Sequence, residues 1–127
     1  MSSKPPVFAF RPQNTGLEKF WGKLEARILE IIWADGPMTV KRALYHLNKN
    51  QDYAYTTVMT VMNRLARKGI LDRELKGKSF VYAPAMSKDE FLELAVMDIL
   101  GGLARDYEKL TFKTISQLKK HRRGKTG

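Results

Sequence analysis

From Tyr53 to Leu71 the chain carries no acidic residue, and its apolar side chains recur with a helical period. Val58, Val61, Met62 and Leu65 stand at i, i+3, i+4 and i+7, the spacing of a buried stripe. At about 100° per residue, Thr56, Thr60, Asn63 and Arg67 fall almost opposite that stripe, with Thr57 and Arg64 on its flank. Threonine is a mediocre helix former, so propensity does not account for the choice. Small hydroxyls and an amide, followed by guanidiniums, suit base edges first and phosphates next. A Thr-rich helix that merely faces solvent is the plain alternative.

The flanking segments give this helix a setting. Leu24, Ile28, Ile31 and Ile32 form a stripe that predicts a helix over 23–34, stopped by Gly36-Pro37. Thr15-Gly16-Leu17-Glu18 resembles a capping box, and a short helical turn could begin there. Thr39 suits the N-cap of a second helix, buried through Val40, Ala43, Leu44 and Leu47 and ended by Asn48-Lys49-Asn50. Gly69 closes the Thr-rich helix. Residues 70–75 and 79–83 then read as two strands around Lys76-Gly77-Lys78, a hairpin with a basic tip that Pro84 ends. Helix, helix, Thr-rich helix and basic hairpin follow the order of a winged helix-turn-helix. In that architecture the first helix of the motif (40–48) crosses the backbone and the second (55–68) enters the major groove.

Charge divides the rest of the chain. The sequence carries a net charge of +10 and has a 43% hydrophobic fraction. Residues 1–85 are basic, 88–108 are acidic with 2 basic and 6 acidic side chains, and 109–127 hold 7 basic and no acidic ones. A basic excess fits a polyanionic partner, and uneven charge suggests separate jobs. Ser87-Lys88-Asp89-Glu90 is a capping box that opens an acidic amphipathic helix. Phe91, Leu94, Ala95 and Ile99 lie on it, Gly101-Gly102 breaks or kinks it, and Leu103, Tyr107 and Leu110 continue the apolar stripe. So much apolar circumference asks for a second copy, with Phe91, Leu94, Ala95, Ile99, Leu103, Tyr107 and Leu110 at the dimer interface. Folding back on residues 20–85 is the alternative.

These readings give a fold that is mainly α with a small β-hairpin: a winged helix-turn-helix plus a C-terminal helical dimerisation element. The expected divisions are a flexible N-terminal arm (1–15), a DNA-binding domain (16–85), a helical dimerisation domain (86–120) and a disordered basic tail (121–127). Thr56, Thr57, Thr60, Asn63 and Arg64 are the candidate base readers. Arg64 could equally hold a phosphate or pair with Glu74, and Asn63 could be solvated. Lys41, Arg42, Tyr55, Arg67, Lys76 and Lys78 are the candidate backbone contacts, and Arg73 could assist.

The absence of cysteine excludes disulfides, thiolate chemistry and Cys-based metal sites. His46 and His121 have no partner at ligand spacing, and no nucleophile motif or phosphate-binding glycine loop occurs. No catalytic residue, metal or cofactor is expected. No signal-peptide core is present, and no apolar run approaches the roughly 20 residues that span a bilayer. A soluble, cytoplasmic protein without membrane insertion is expected.

Several motifs occur together and in order: Leu24-Glu25, the apolar run ending in Trp33, Gly36-Pro37, Ala54-Tyr55-Thr56-Thr57-Val58, Thr60-Val61, Arg64-Leu65, Lys68-Gly69 and Tyr82-Ala83-Pro84. Over about residues 22–100 they resemble the penicillinase-repressor (BlaI/MecI) family. The resemblance implies a bacterial winged-helix repressor that binds a palindromic double-stranded DNA operator as a homodimer. It also implies a sensor protease as a partner in release. The family's copper-responsive members carry Cys-rich tails, which this chain lacks. Its proteolytically released members are cut at an Asn-Phe bond, and no asparagine follows Asn63 here. A nonspecific architectural nucleic-acid-binding protein is the alternative function, and a protein-binding adaptor or an enzyme fits the residues less well.

Overall fold

Three short helices form because each offers one apolar stripe and a stop signal. In the computed structural model, which describes residues 6–126, α1 spans Lys23–Asp35. Ala26, Ile28, Leu29 and Ile32 are its buried apolar side chains. The backbone N–H of Gly22 donates to Glu25 Oε1 at 3.0 Å and so caps its start. Gly36 ends it at φ 92, a conformation that side chains with a Cβ disfavour. A single 3-10 turn, Gly16–Lys19, precedes α1, though the Thr15 side chain caps nothing.

Helix α2 spans Val40–Leu47, and Thr39 Oγ1 accepts from the Arg42 N–H at 3.2 Å as its N-cap. Helix α3 spans Tyr55–Arg67 and buries Val58, Val61, Met62 and Leu65. The connection between them is pinned by one side chain. Asn48 Nδ2 donates to the Tyr53 carbonyl at 3.2 Å, and Asn48 Oδ1 accepts from the Tyr53 N–H at 2.7 Å. The angle of the helix-turn-helix is therefore held without a glycine.

Strands β1 (Leu71–Lys76) and β2 (Ser79–Pro84) pair antiparallel, with Arg73 opposite Tyr82 and Leu75 opposite Phe80. Pro84 lies inside the second strand, opposite Leu71 at the hairpin's open end. Tyr82 also exchanges two backbone bonds with Met38, at 3.0 and 2.8 Å. A third extended piece thereby supports the hairpin, which two strands alone would hold only marginally.

The segment 6–15, expected as a free arm, has no regular structure but is anchored. The Val7 N–H donates to the Lys68 carbonyl at 2.9 Å. Lys19 Nζ donates to the Pro12 carbonyl at 2.9 Å and also to that of Asn14. Phe8 sits edge-on to Phe20 at 5.5 Å and to Phe91 at 5.7 Å. The part of the expected arm at residues 1–5 lies outside the described residues. Pro6 and Pro12 disfavour a helix over residues 6–15, but they do not prevent Phe8 from finding a core.

Helix α4 spans Lys88–Asp106 and α5 spans Glu108–Thr126. The capping box is reciprocal: the Glu90 N–H donates to Ser87 Oγ at 3.0 Å, and the Ser87 N–H donates to Glu90 Oε1 at 3.1 Å. Two expectations fail here. Gly101-Gly102 does not break α4, since neither takes a positive φ and the helical ladder runs through both. The chain turns instead at Tyr107. The basic tail from 121, expected to be disordered, continues α5 as far as residue 126; residue 127 lies outside the described residues.

The chain divides into two compact units, Met1–Phe91 and Leu92–Gly127. The core of the first gathers Trp21, Ile28, Leu29, Ile32, Leu47, Met62, Leu65, Ile70, Leu71 and Tyr82. Beside them Phe91 lies among Phe20 (5.5 Å), Trp21 (5.6 Å), Trp33 (6.1 Å) and Phe8. This corrects the interface assignment of Phe91, whose ring is fully buried inside its own chain. Ala95 is likewise fully buried and leaves the interface set.

Candidate nucleic-acid interface

The outward face of α3 is polar and basic. Thr56, Thr57, Thr60, Arg64 and Arg67 are exposed, and Tyr55 stands half-exposed at the helix start. Among the described residues Arg64 makes no ion pair with Glu74, so its guanidinium is open to a ligand on that face. Lys41 and Arg42 are exposed on α2, and Lys76 and Lys78 flank Gly77 at the hairpin tip. Gly77 sits at φ 65, which lets the two strands meet in so short a turn. Hydroxyl donors, guanidiniums and ammoniums thus face outward together, the arrangement that phosphates and base edges can engage.

Asn63 departs from this set. The helical wheel places it outward, but the hairpin leans over it. Its side-chain oxygen accepts from Arg73 Nη1 at 3.0 Å and from the Tyr82 hydroxyl. Arg73 and Tyr82 escaped the sequence-based assignment as partners of α3. The signal that could have found them is the hairpin register, which sets the two directly opposite each other. Arg73 also lies over the Phe80 ring, 4.2 Å from its centroid.

A cleft of about 330 Å3 opens between the start of α2, α3 and the hairpin. Lys41, Arg73 and Lys78 line it with Thr39, Tyr55, Met59, Asn63, Ser79, Phe80 and Tyr82. Three cations over a mixed floor favour an anion. Lys68 is turned away from this surface. Its ammonium bonds Glu25 Oε2 at 3.1 Å and lies 5.4 Å from the centroid of the Trp21 ring.

His46 Nε2 lies 3.4 Å from Asp35 Oδ2. Among the described residues no three His, Cys, Asp or Glu side chains converge as a metal site. No helix of the described residues is long and apolar enough to cross a membrane.

In the second unit Leu94 and Leu103 are each 48% exposed, Tyr107 62% and Leu110 63%. Ile99 is partly covered. Phe112, which lies outside the expected stripe, and Leu118, at its end, are as exposed as these. Leu100, Leu103, Tyr107, Leu110, Ile115 and Leu118 line a shallow groove that is almost wholly apolar.

Comparison with known proteins reaches most of the chain. The transcriptional regulator BlaI of Mycobacterium tuberculosis is 35% identical over 80 residues, 62% of this chain and 58% of that protein. The penicillinase repressor of Bacillus licheniformis is 26% identical over 70 residues, 55% of each. The chain therefore spans a little over half the length of these curated relatives. The solution structure of the Bacillus licheniformis BlaI monomeric form with the blaP half-operator is 24% identical. It covers 62% of this chain and 88% of that one, with a TM-score of 0.46. The penicillinase repressor family matches residues 21–122, reaching past Gly101 into a stretch where the motifs alone carry little resemblance. By that match the chain belongs to the penicillinase repressor family.

Proposed function

We propose that this chain is a sequence-specific, DNA-binding transcriptional repressor, and not an enzyme, acting as a homodimer on a palindromic operator. The observation that carries the reading is the outward face of α3: exposed threonines and arginines with no acidic residue, beside a hairpin tipped by two lysines. In the winged-helix arrangement α3 enters the major groove while α2 crosses the backbone. Thr56, Thr57 and Thr60 offer hydroxyls to base edges and methyls to thymine, and Arg64 reaches a guanine or a phosphate. Lys41, Arg42, Tyr55, Arg67, Lys76 and Lys78 hold phosphates and supply most of the affinity.

A second copy covers the apolar face of α4 and α5, and the twofold axis of such a dimer calls for a palindromic site. Sedimentation at micromolar concentration checks this, and a clean monomer would refute it. A sensor protease that releases the repressor would find its irregular backbone at Tyr107 rather than at Gly101-Gly102. Full-length protein persisting on immunoblots while target genes switch on would exclude that route.

Selection of bound duplexes from a random pool tests the core of the reading. A palindromic consensus is expected. Thr57→Ala and Thr60→Ala should each relax one or two of its positions at a cost of about 1–3 kcal/mol, leaving nonspecific binding largely intact. A pool that enriches nothing would make the protein a nonspecific, architectural nucleic-acid binder.

A further inference from the structure

Asparagine reads adenine by accepting from N6 with its side-chain oxygen while its amide nitrogen donates to N7. That oxygen is already taken in Asn63. It accepts from Arg73 Nη1 at 3.0 Å and from the Tyr82 hydroxyl, which fills both of its lone pairs. Both donors belong to the hairpin. Arg73 and Tyr82 are directly paired across β1 and β2, and Phe80, two residues along on the same face as Tyr82, stacks against the Arg73 guanidinium. Tyr82 is 1% exposed and bonded to Met38 through both its N–H and its carbonyl, so its hydroxyl is a fixed post.

We propose that Asn63 is a positioning residue: with Arg73 and Tyr82 it fastens α3 to the hairpin, and so sets how far the wing's lysines reach when α3 lies against a duplex. The second half of this statement rests on the DNA-binding reading above. Leverage makes the fastener matter. The Arg73–Tyr82 pair lies three residues from the last ladder pair, Lys76–Ser79. That is about 10 Å at roughly 3.4 Å per residue. A swing of about 20° at the base moves the tip by roughly 3–4 Å, more than the length of a hydrogen bond. Lys76 and Lys78 would then miss the phosphates that a correctly held wing meets.

Two variants of the full chain test this. Tyr82→Phe removes the hydroxyl of a residue only 1% exposed, and Asn63→Ala removes the shared acceptor. Amide hydrogen exchange of residues 75–80 in the free protein reads the fastening itself. A loss of about fivefold in protection is expected for Tyr82→Phe, the worth of one ordinary hydrogen bond, and a larger loss for Asn63→Ala, which removes the acceptor of two. Duplex binding across a salt series reads the consequence. For both variants the log–log salt slope should flatten, by at most about 1 for each wing lysine that moves off its phosphate, and binding should weaken by no more than the factor lost in protection. The base preference found by selection should stay as in the parent.

Unchanged exchange in both variants would overturn the fastener, whatever the duplex data show. A base preference that relaxes at a particular position in Asn63→Ala but not in Tyr82→Phe would make Asn63 a reader and overturn it too. If the parent protein binds no duplex, the DNA-binding reading fails with its consequence for the wing, and the exchange data separate that failure from failure of the fastening.

Discussion

Replacing Phe91 with alanine separates a core residue from an interface residue. Its ring is fully buried and has four aromatic neighbours, with centroids 5.5 to 6.1 Å away. Truncating a buried phenylalanine costs about 3–5 kcal/mol, through forfeited transfer energy and the cavity left behind. The upper part of that range is expected, because edge-to-face and tilted ring pairs add to the area term. In a chain of this length that corresponds to a fall in Tm of roughly 10–20 °C. Urea unfolding followed by tryptophan fluorescence measures it directly, since Trp21 and Trp33 border the same cluster. The loss should not change with protein concentration. Leu110→Ala, at a residue 63% exposed, should instead cost stability only where the dimer forms, and so depend on concentration. A Phe91→Ala cost below about 1 kcal/mol, or one that appears only in the dimer, would refute the assignment of this ring to the core.

Other expectations follow from the same structure. Lys76→Ala with Lys78→Ala should weaken binding to every duplex and flatten the salt slope by about 1 for each phosphate no longer neutralised. An unchanged slope would mean that the hairpin tip stays clear of the duplex. Ser87→Ala removes one half of the α4 capping box and should cost about 1 kcal/mol in thermal or urea unfolding. Glu25→Ala removes the acceptor of both the Gly22 N–H and the Lys68 ammonium. Stability should fall by about 1–3 kcal/mol, and Lys68→Met should recover part of it by removing the stranded charge.

What the sequence made legible was local. The stripe of α3 follows the 3.6-residue period, and Val58, Val61, Met62 and Leu65 are buried where that period puts them; on α1 Ile28 and Ile32 are buried, but Leu24 and Ile31 are half-buried and Leu29, outside the expected stripe, is fully buried. The hairpin and its glycine turn were equally readable, because turn chemistry is local too. Phe91 was misplaced because its spacing to Leu94 and Ala95 imitates one continuous helical stripe. Its actual partners, Phe8, Phe20, Trp21 and Trp33, come from three distant stretches of chain that no periodicity connects. The bonds of Asn63 to Arg73 and Tyr82 are illegible for a related reason: a helical wheel knows which way a residue points, but not that a hairpin will close over it. At Gly101-Gly102 the error was energetic. Two glycines cost a helix only about 2 kcal/mol relative to alanine, too little to end one that good helix formers continue on both sides.

The contact between Phe8 and Phe91 also has a bearing on how this protein is made. The two rings close the same aromatic cluster from opposite ends of the first unit. During synthesis the early aromatic residues emerge long before the last member of their cluster. Until Phe91 has emerged, Phe8, Phe20 and Trp21 lack the ring that touches all three. Such long-range closure makes the final step of folding a late one and gives chaperones a defined interval in which to bind.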